Sequence, residues 1–142
     1  MEKTLMIGSS EPFSGKSAFV LGLARKLIAA NQKIRFGKPL ATSIELGVEA
    51  ETPLSAGTLI DDDVRFVGET LDIPAQQLIP SIHFLSSESA DKRLSNSDLQ
   101  AGSGFDALKQ KLKDDFDGIN ILEAAGSLNE GLLYGLSLGQ LA

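Results

Sequence analysis

The stretch from Thr4 to Ile28 constrains this chain more than any other, because the hydrophobic period changes once within it and a short polar loop sits at the change. Thr4, Leu5, Met6 and Ile7 form a short run closed by Gly8, the pattern of a strand buried on both faces of a parallel sheet. From Ala18 onward the period is helical. Phe19, Leu23 and Leu27 recur at i, i+4, with Val20, Ala24 and Ile28 in the adjacent row, so the helix offers one broad apolar stripe to the sheet. Between strand and helix lies a polar loop that ends in Gly15-Lys16-Ser17.

A strand, a glycine-containing turn and a helix N-terminus together make a phosphate site. The first backbone N–H groups of a helix lack intrahelical partners, and the helix dipole favours negative charge beside them. Gly15 lets the backbone approach a phosphate closely, Lys16 supplies a cation for the terminal oxygens, and the Ser17 hydroxyl is a ligand for Mg²⁺. Ser14 adds a hydroxyl to the same turn. The general motif places a glycine five residues before Gly15; here that position is Ser10. Ser10, Ser14, Gly15, Lys16 and Ser17 are therefore the candidate phosphate-binding residues.

The rest of the chain reads as helices and strands that serve that loop. Asn31-Gln32 closes the first helix, and Lys33 to Gly37 alternates as a second strand that delivers Lys38 to its carboxyl end, where open α/β sheets place ligands. Pro39 stops that strand. Residues 41–58 show no clear period and predict a mobile connection over the site. Asp61-Asp62-Asp63 precedes Val64, Val67 and Leu71 at helical spacing, which suits a cap and an acidic first turn. Pro74 and Pro80 predict a connector with a short strand near Ile82 to Leu85, where the single histidine, His83, reads as packed or at the surface rather than as a general base. Ser86 to Ser103 is polar and predicts low local order. Phe105, Leu108, Leu112 and Phe116 predict a covering helix ended by Asp117-Gly118, and Ile119, Ile121 and Leu122 a third core strand with Glu123 at its end. Leu132, Leu133, Leu136 and Leu138 predict a terminal helix. A helix followed by a buried strand repeats the opening unit, so parallel strands with right-handed crossovers are expected, with helices on both faces.

At 142 residues the chain is the size of one domain, able to bury about two thirds of its unfolded surface. The absence of cysteine excludes disulfides and thiolate metal sites and fits a cytoplasmic setting. No apolar run approaches membrane-spanning length. With 13 basic and 19 acidic side chains the net charge is −6, which repels a nucleic-acid backbone, so neither membrane nor nucleic acid is an expected partner.

Three segments carry a family resemblance. Ile7-Gly8-Ser9-Ser10-Glu11-Pro12-Phe13-Ser14-Gly15-Lys16-Ser17 resembles the modified P-loop of the dethiobiotin synthetase superfamily, in particular the domain at the front of phosphotransacetylases and of bacterial and cyanobacterial relatives that carry a DRTGG domain. Gly37-Lys38-Pro39-Leu40 and Leu122-Glu123-Ala124-Ala125-Gly126 agree with it in order and rough spacing. The resemblance implies a P-loop NTPase-like α/β fold that binds ATP and Mg²⁺. It implies a place for Lys38, with Lys16, beside the reacting groups, a substrate- or nucleotide-contacting hydroxyl at Thr42, and metal-site oxygens from Ser17, Asp63 (or, second, Asp61) and Glu123. The family carries Glu-Gly-Ala-Gly-Gly or a close variant where this chain has Glu123-Ala124-Ala125-Gly126-Ser127, which keeps the acid and loses one backbone freedom.

The resembled domains continue through further strands and the segment that contacts the base, so residues 1–142 read as a single P-loop domain truncated at its C-terminal end. It would be either a piece of a longer protein, partnered by a C-terminal domain, or a short form that completes its sheet by self-association. Three functions stay open: a regulatory ATP-binding module of the phosphotransacetylase-associated type, an ATP-dependent carboxylating ligase, and an interaction scaffold with a vestigial P-loop.

Overall fold

The computed structural model describes residues 3–44, 59–95 and 103–142. In chain order the elements are β1 (Thr4–Ile7), α1 (Lys16–Ala29), β2 (Ile34–Gly37), β3 (Leu40–Ala41), α2 (Asp62–Thr70), β4 (Leu78–Ile79), β5 (His83–Phe84), α3 (Ser87–Ser95), α4 (Ser103–Lys111), β6 (Ile119–Glu123) and α5 (Leu138–Leu141). One sheet has the order β1-β6-β2-β4, a second pairs β3 with β5, and every one of these pairings is parallel. No helix among the described residues is long and apolar enough to cross a membrane.

Alternation along the strands divides the core in two. Ile34, Phe36 and Ile121 face Val20 and Ala24 of α1 and Val64 and Val67 of α2. On the other face, Leu122 packs with Leu40, Ile79, Leu108 of α4, Leu112 just beyond it, and Tyr134 and Leu136. Helices thus cover both faces of the main sheet. Phe36 is fully buried at the centre of the first core, a burial that contributes about 3 kcal/mol.

The register brings three chain segments to one edge. Ile7 stands opposite Glu123 and Gly37 opposite Leu122, so β1, β6 and β2 end level with one another. The Ala124 N–H donates to the Ile7 carbonyl at 2.8 Å and extends this ladder past the strand end. The loop after β1, Lys38 after β2 and Glu123 at the end of β6 therefore leave the sheet together.

Several expectations change in the structure. Among the described residues β1 pairs only with β6, at the end of the strand order, and Leu5 is 39% exposed, so this run is not buried on both faces. Pro39 interrupts the strand for two residues only, after which β3 joins β5 in the second sheet. Leu78–Ile79 is a strand between the two prolines that alternation over so few residues does not reveal. Of the polar stretch 86–103 expected to have low local order, Ser87–Ser95 forms α3 even though the helix buries no residue, and 96–102 fall outside the described residues. The helix is held instead by a reciprocal cap, in which the Ser86 and Ser89 N–H groups each donate to the other's hydroxyl at 3.2 and 3.1 Å, and by the Glu88–Lys92 pair at i, i+4.

The two predicted helices near the end of the chain are both shorter than expected. α4 stops at Lys111 because the following turn is drawn to β2: Arg35 donates to both Asp114 carboxylate oxygens, and its guanidinium lies 4.2 Å from the Phe116 ring centre. The expected helix through Leu132 and Leu138 is a 3₁₀ turn, Leu132–Tyr134, between Gly131 and Gly135, both in the left-handed region. Those glycines end it on either side, and α5 follows as a single turn capped by Ser137 and Gln140. The predicted mobile connection over 41–58 falls outside the described residues from position 45 on.

Candidate functional site

α1 begins without help from a side chain. Gly15 occupies its N-cap position at φ 85°, a conformation that favours glycine, and no side chain caps the first turn, which also holds no acid. The first intrahelical bond runs from the Phe19 N–H to the Gly15 carbonyl at 3.0 Å. The N–H groups of Lys16, Ser17 and Ala18 thus stand at the positive end of the helix dipole with no carbonyl behind them to bond. They border a cavity of about 650 Å³ whose wall includes Phe13, Ser14, Gly15, Lys16, Ser17, Lys38, Thr42, Asp63, Glu123, Gly126 and Glu130.

Every predicted site residue except two reaches that cavity. Ser10 is exposed on the loop and does not line it, and Asp61 is withdrawn beneath it. Asp61 caps α2 with its carboxylate and is completely buried. One oxygen accepts from the Asp63 N–H at 2.9 Å, and the other from the N–H groups of Thr42 at 2.7 Å and Ser43 at 3.2 Å. Asp61 therefore ties the segment after β3 to the start of α2, with its oxygens already engaged. Asp63, in the first turn of the helix and about half exposed, is the carboxylate of this trio that faces the cavity.

Lys38 bridges the two. It is only 4% exposed, and its ammonium donates to the Thr42 hydroxyl at 2.7 Å, to Asp63 at 2.9 Å and to Asp61 at 3.3–3.4 Å. Burial works against its charge, yet the hydrogen bond to Asp63 and the charges of Asp61, Asp63 and Glu123 outweigh it and raise its pKa above the ordinary lysine value. Its charged form is accordingly favoured, with its three donors matched to three acceptors.

Glu123 is the reverse case. It is 2% exposed, and only one carboxylate oxygen has a partner, the Ser17 hydroxyl at 3.1 Å; the other, Oε2, is buried and accepts no hydrogen bond. Burial raises its pKa above the usual carboxylate value, against the opposing pull of Lys38, Ser17 and Lys16. Lys16 meanwhile donates to the Ser9 hydroxyl at 3.0 Å and the Gly126 carbonyl at 2.9 Å. Its ammonium is thereby held at the cavity wall by weak neutral acceptors.

Three contributors escape a reading of the sequence. Ser9 and the Gly126 carbonyl hold Lys16, and Glu130 lines the cavity while accepting from the Ser127 N–H at 3.2 Å. A backbone carbonyl has no sequence signature, and Ser9 is one of an adjacent pair of serines that nothing local distinguishes. His83 lies away from the cavity, its ring 5.4 Å from that of buried Tyr134.

The donor set fits a magnesium ion accompanied by phosphates. Among the described residues no group of three or more histidines and acids is arranged to hold a metal unaided. Mg²⁺ does not need one, since it keeps several waters and takes one or two carboxylates together with phosphate oxygens. The orphaned Glu123 oxygen, the Ser17 hydroxyl beside it and Asp63 across the cavity are the residues that would hold it. Compared with models of protein families and with curated protein sequences, the chain matches none.

Proposed function

We propose that this chain is a P-loop module that binds ATP with Mg²⁺ and works as a regulatory domain, within or beside a phosphotransacetylase-related protein. The observation that carries the reading is the buried, unpartnered Oε2 of Glu123, on the carboxylate whose other oxygen accepts from the Ser17 hydroxyl at the uncapped start of α1. A buried carboxylate oxygen without a partner costs about 1–3 kcal/mol, and a bound cation or its water would relieve that cost. Phosphates on the α1 amides would sit beside it, with Lys16 exchanging the Ser9 hydroxyl and Gly126 carbonyl for phosphate oxygens, which bind an ammonium more strongly. When bound, Mg²⁺ would bridge and neutralise phosphate oxygens.

The state of Lys38 favours regulation over carboxylation. In a ligase of the resembled kind this lysine must reach a reacting group, but here Thr42, Asp61 and Asp63 occupy its three donors. Its role is to fix Asp63 and the segment after β3 against the cavity. Isothermal titration with Mg-ATP tests the reading. The wild type binds, and Lys16→Ala weakens binding at least about tenfold, the loss expected for one charge-assisted contact to phosphate. Equal heats from the two proteins, or none from the wild type, would overturn it.

A further inference from the structure

A second cavity, of about 430 Å³, shares Ser14, Gly15 and Lys16 with the first and opens on the other side of the loop. Its remaining wall is Met6, Ile7, Gly8 and Ser9 from the end of β1, and Phe19 from α1. None of β2, α2 or β6 contributes to it, so it lies on the free-edge side of β1, away from the acids. The contrast in chemistry is sharp. Asp63, Glu123 and Glu130 line the first cavity, whereas among the described residues the second is lined by no carboxylate and by the single charge of Lys16. Phe19 is 60% exposed despite being apolar, and stands three residues beyond Lys16, about one turn up the same side of α1.

We propose that this second cavity receives the base of the bound nucleotide, stacked on the Phe19 ring, and that it prefers purines while barely distinguishing adenine from guanine. The inference rests on the phosphate-site reading above. The two cavities meet at Ser14, Gly15 and Lys16, so a triphosphate whose terminal end meets Lys16, Ser17 and the metal-holding acids can run back along Ser14 and Gly15 and deliver the nucleoside where no acid stands. The wall offers an aromatic face and aliphatic side chains, with few free polar groups. The Ser9 hydroxyl already donates to the Glu11 carbonyl at 2.6 Å and accepts from Lys16. Recognition by stacking grips the larger purine ring more firmly than a pyrimidine, and it tolerates any exocyclic pattern because every base has a π-face.

The test is calorimetric titration of the full chain with the magnesium salts of ATP, GTP, CTP and inorganic tripolyphosphate, on wild type, Phe19→Ala and Phe19→Tyr. Phe19 is largely exposed, so both variants keep the wild-type melting temperature. In the wild type ATP binds about tenfold tighter than tripolyphosphate, GTP matches ATP within about threefold, and CTP is weaker. Phe19→Ala loses about tenfold toward ATP and GTP, the scale of one base–aromatic stack, leaves tripolyphosphate unchanged, and Phe19→Tyr restores purine binding. Tripolyphosphate binding as tightly as ATP, or an Ala variant that binds ATP like wild type, would overturn the base site while leaving the phosphate site standing. Failure of every ligand, tripolyphosphate included, would overturn both.

Discussion

Replacing Lys38 by methionine isolates the ionic lock that holds the cavity wall. The substitution keeps most of the side-chain volume but removes the cation that pairs with Asp61, which is completely buried. Breaking a buried ion pair from one side costs about 3–5 kcal/mol. Asp61 keeps three backbone N–H donors, from Thr42, Ser43 and Asp63, so the low end, about 3 kcal/mol, applies. For 142 residues the unfolding entropy is about 0.3 kcal/mol/K, and the melting temperature falls by about 10 °C. Adding Asp61→Asn removes the stranded charge, and the double variant is less destabilised than the sum of the single ones by 1 kcal/mol or more, roughly the coupling expected of contacting groups.

The pH dependence has a definite sign. The folded-state pKa of Lys38 lies above the reference value of 10.5, because contacts with Asp63 and the surrounding acids outweigh the burial that opposes its charge. Its stabilisation is therefore complete below about pH 10.5 and declines only as pH rises through the higher folded value. Urea unfolding of wild type and Lys38→Met from neutral pH upward measures this. A difference below about 1 kcal/mol at pH 7, the scale of an exposed ion pair, would refute the lock.

Two further substitutions probe the same edge of the sheet. Glu123→Gln raises the melting temperature at pH 7, because the raised pKa means that folding disfavours the ionised acid; the gain is about 1 kcal/mol, the lower range for an orphaned buried polar atom, and vanishes below the reference value of 4.5, where the folded and unfolded chains are both protonated. A thermal-melt series from acid to neutral pH checks this, and a glutamine variant less stable than wild type at pH 7 would contradict it. Gly37→Ala destabilises by about 2–3 kcal/mol, since an added Cβ would lie 2.6 Å from the Ile79 Cβ and 2.7 Å from its backbone carbonyl oxygen, neither of which can move without opening the β2–β4 pairing. Denaturant titration that leaves the midpoint unchanged would rule out that packing.

The opening unit was legible because its period, glycine turn and apolar stripe all point to the same local structure. β2, β6 and the cap and acidic first turn made by the three aspartates were legible for the same reason. α3 was not, because its cap is made by two serines in a polar stretch and no apolar stripe marks it. The runs ending at Phe116 and Leu138 looked helical because apolar spacing says nothing of competing partners; Arg35 captures Asp114 and Phe116, and Gly131 and Gly135 divide the last segment.

Taken by itself, the sequence determined a strand, a glycine turn and an amphipathic helix, together with the three segments ending in Lys16, Lys38 and Glu123. These are local properties, fixed by backbone stereochemistry and side-chain period. Only the tertiary structure decided that Asp61 is consumed by Lys38 and three backbone amides while Asp63 faces the cavity, that Lys16 rests on Ser9 and Gly126, and that one oxygen of Glu123 is left without a partner. Which acid is free depends on how many donors surround it. That is set by the parallel register of β1, β6 and β2, which joins residues far apart in the chain, Ile7 to Glu123 and Gly37 to Leu122.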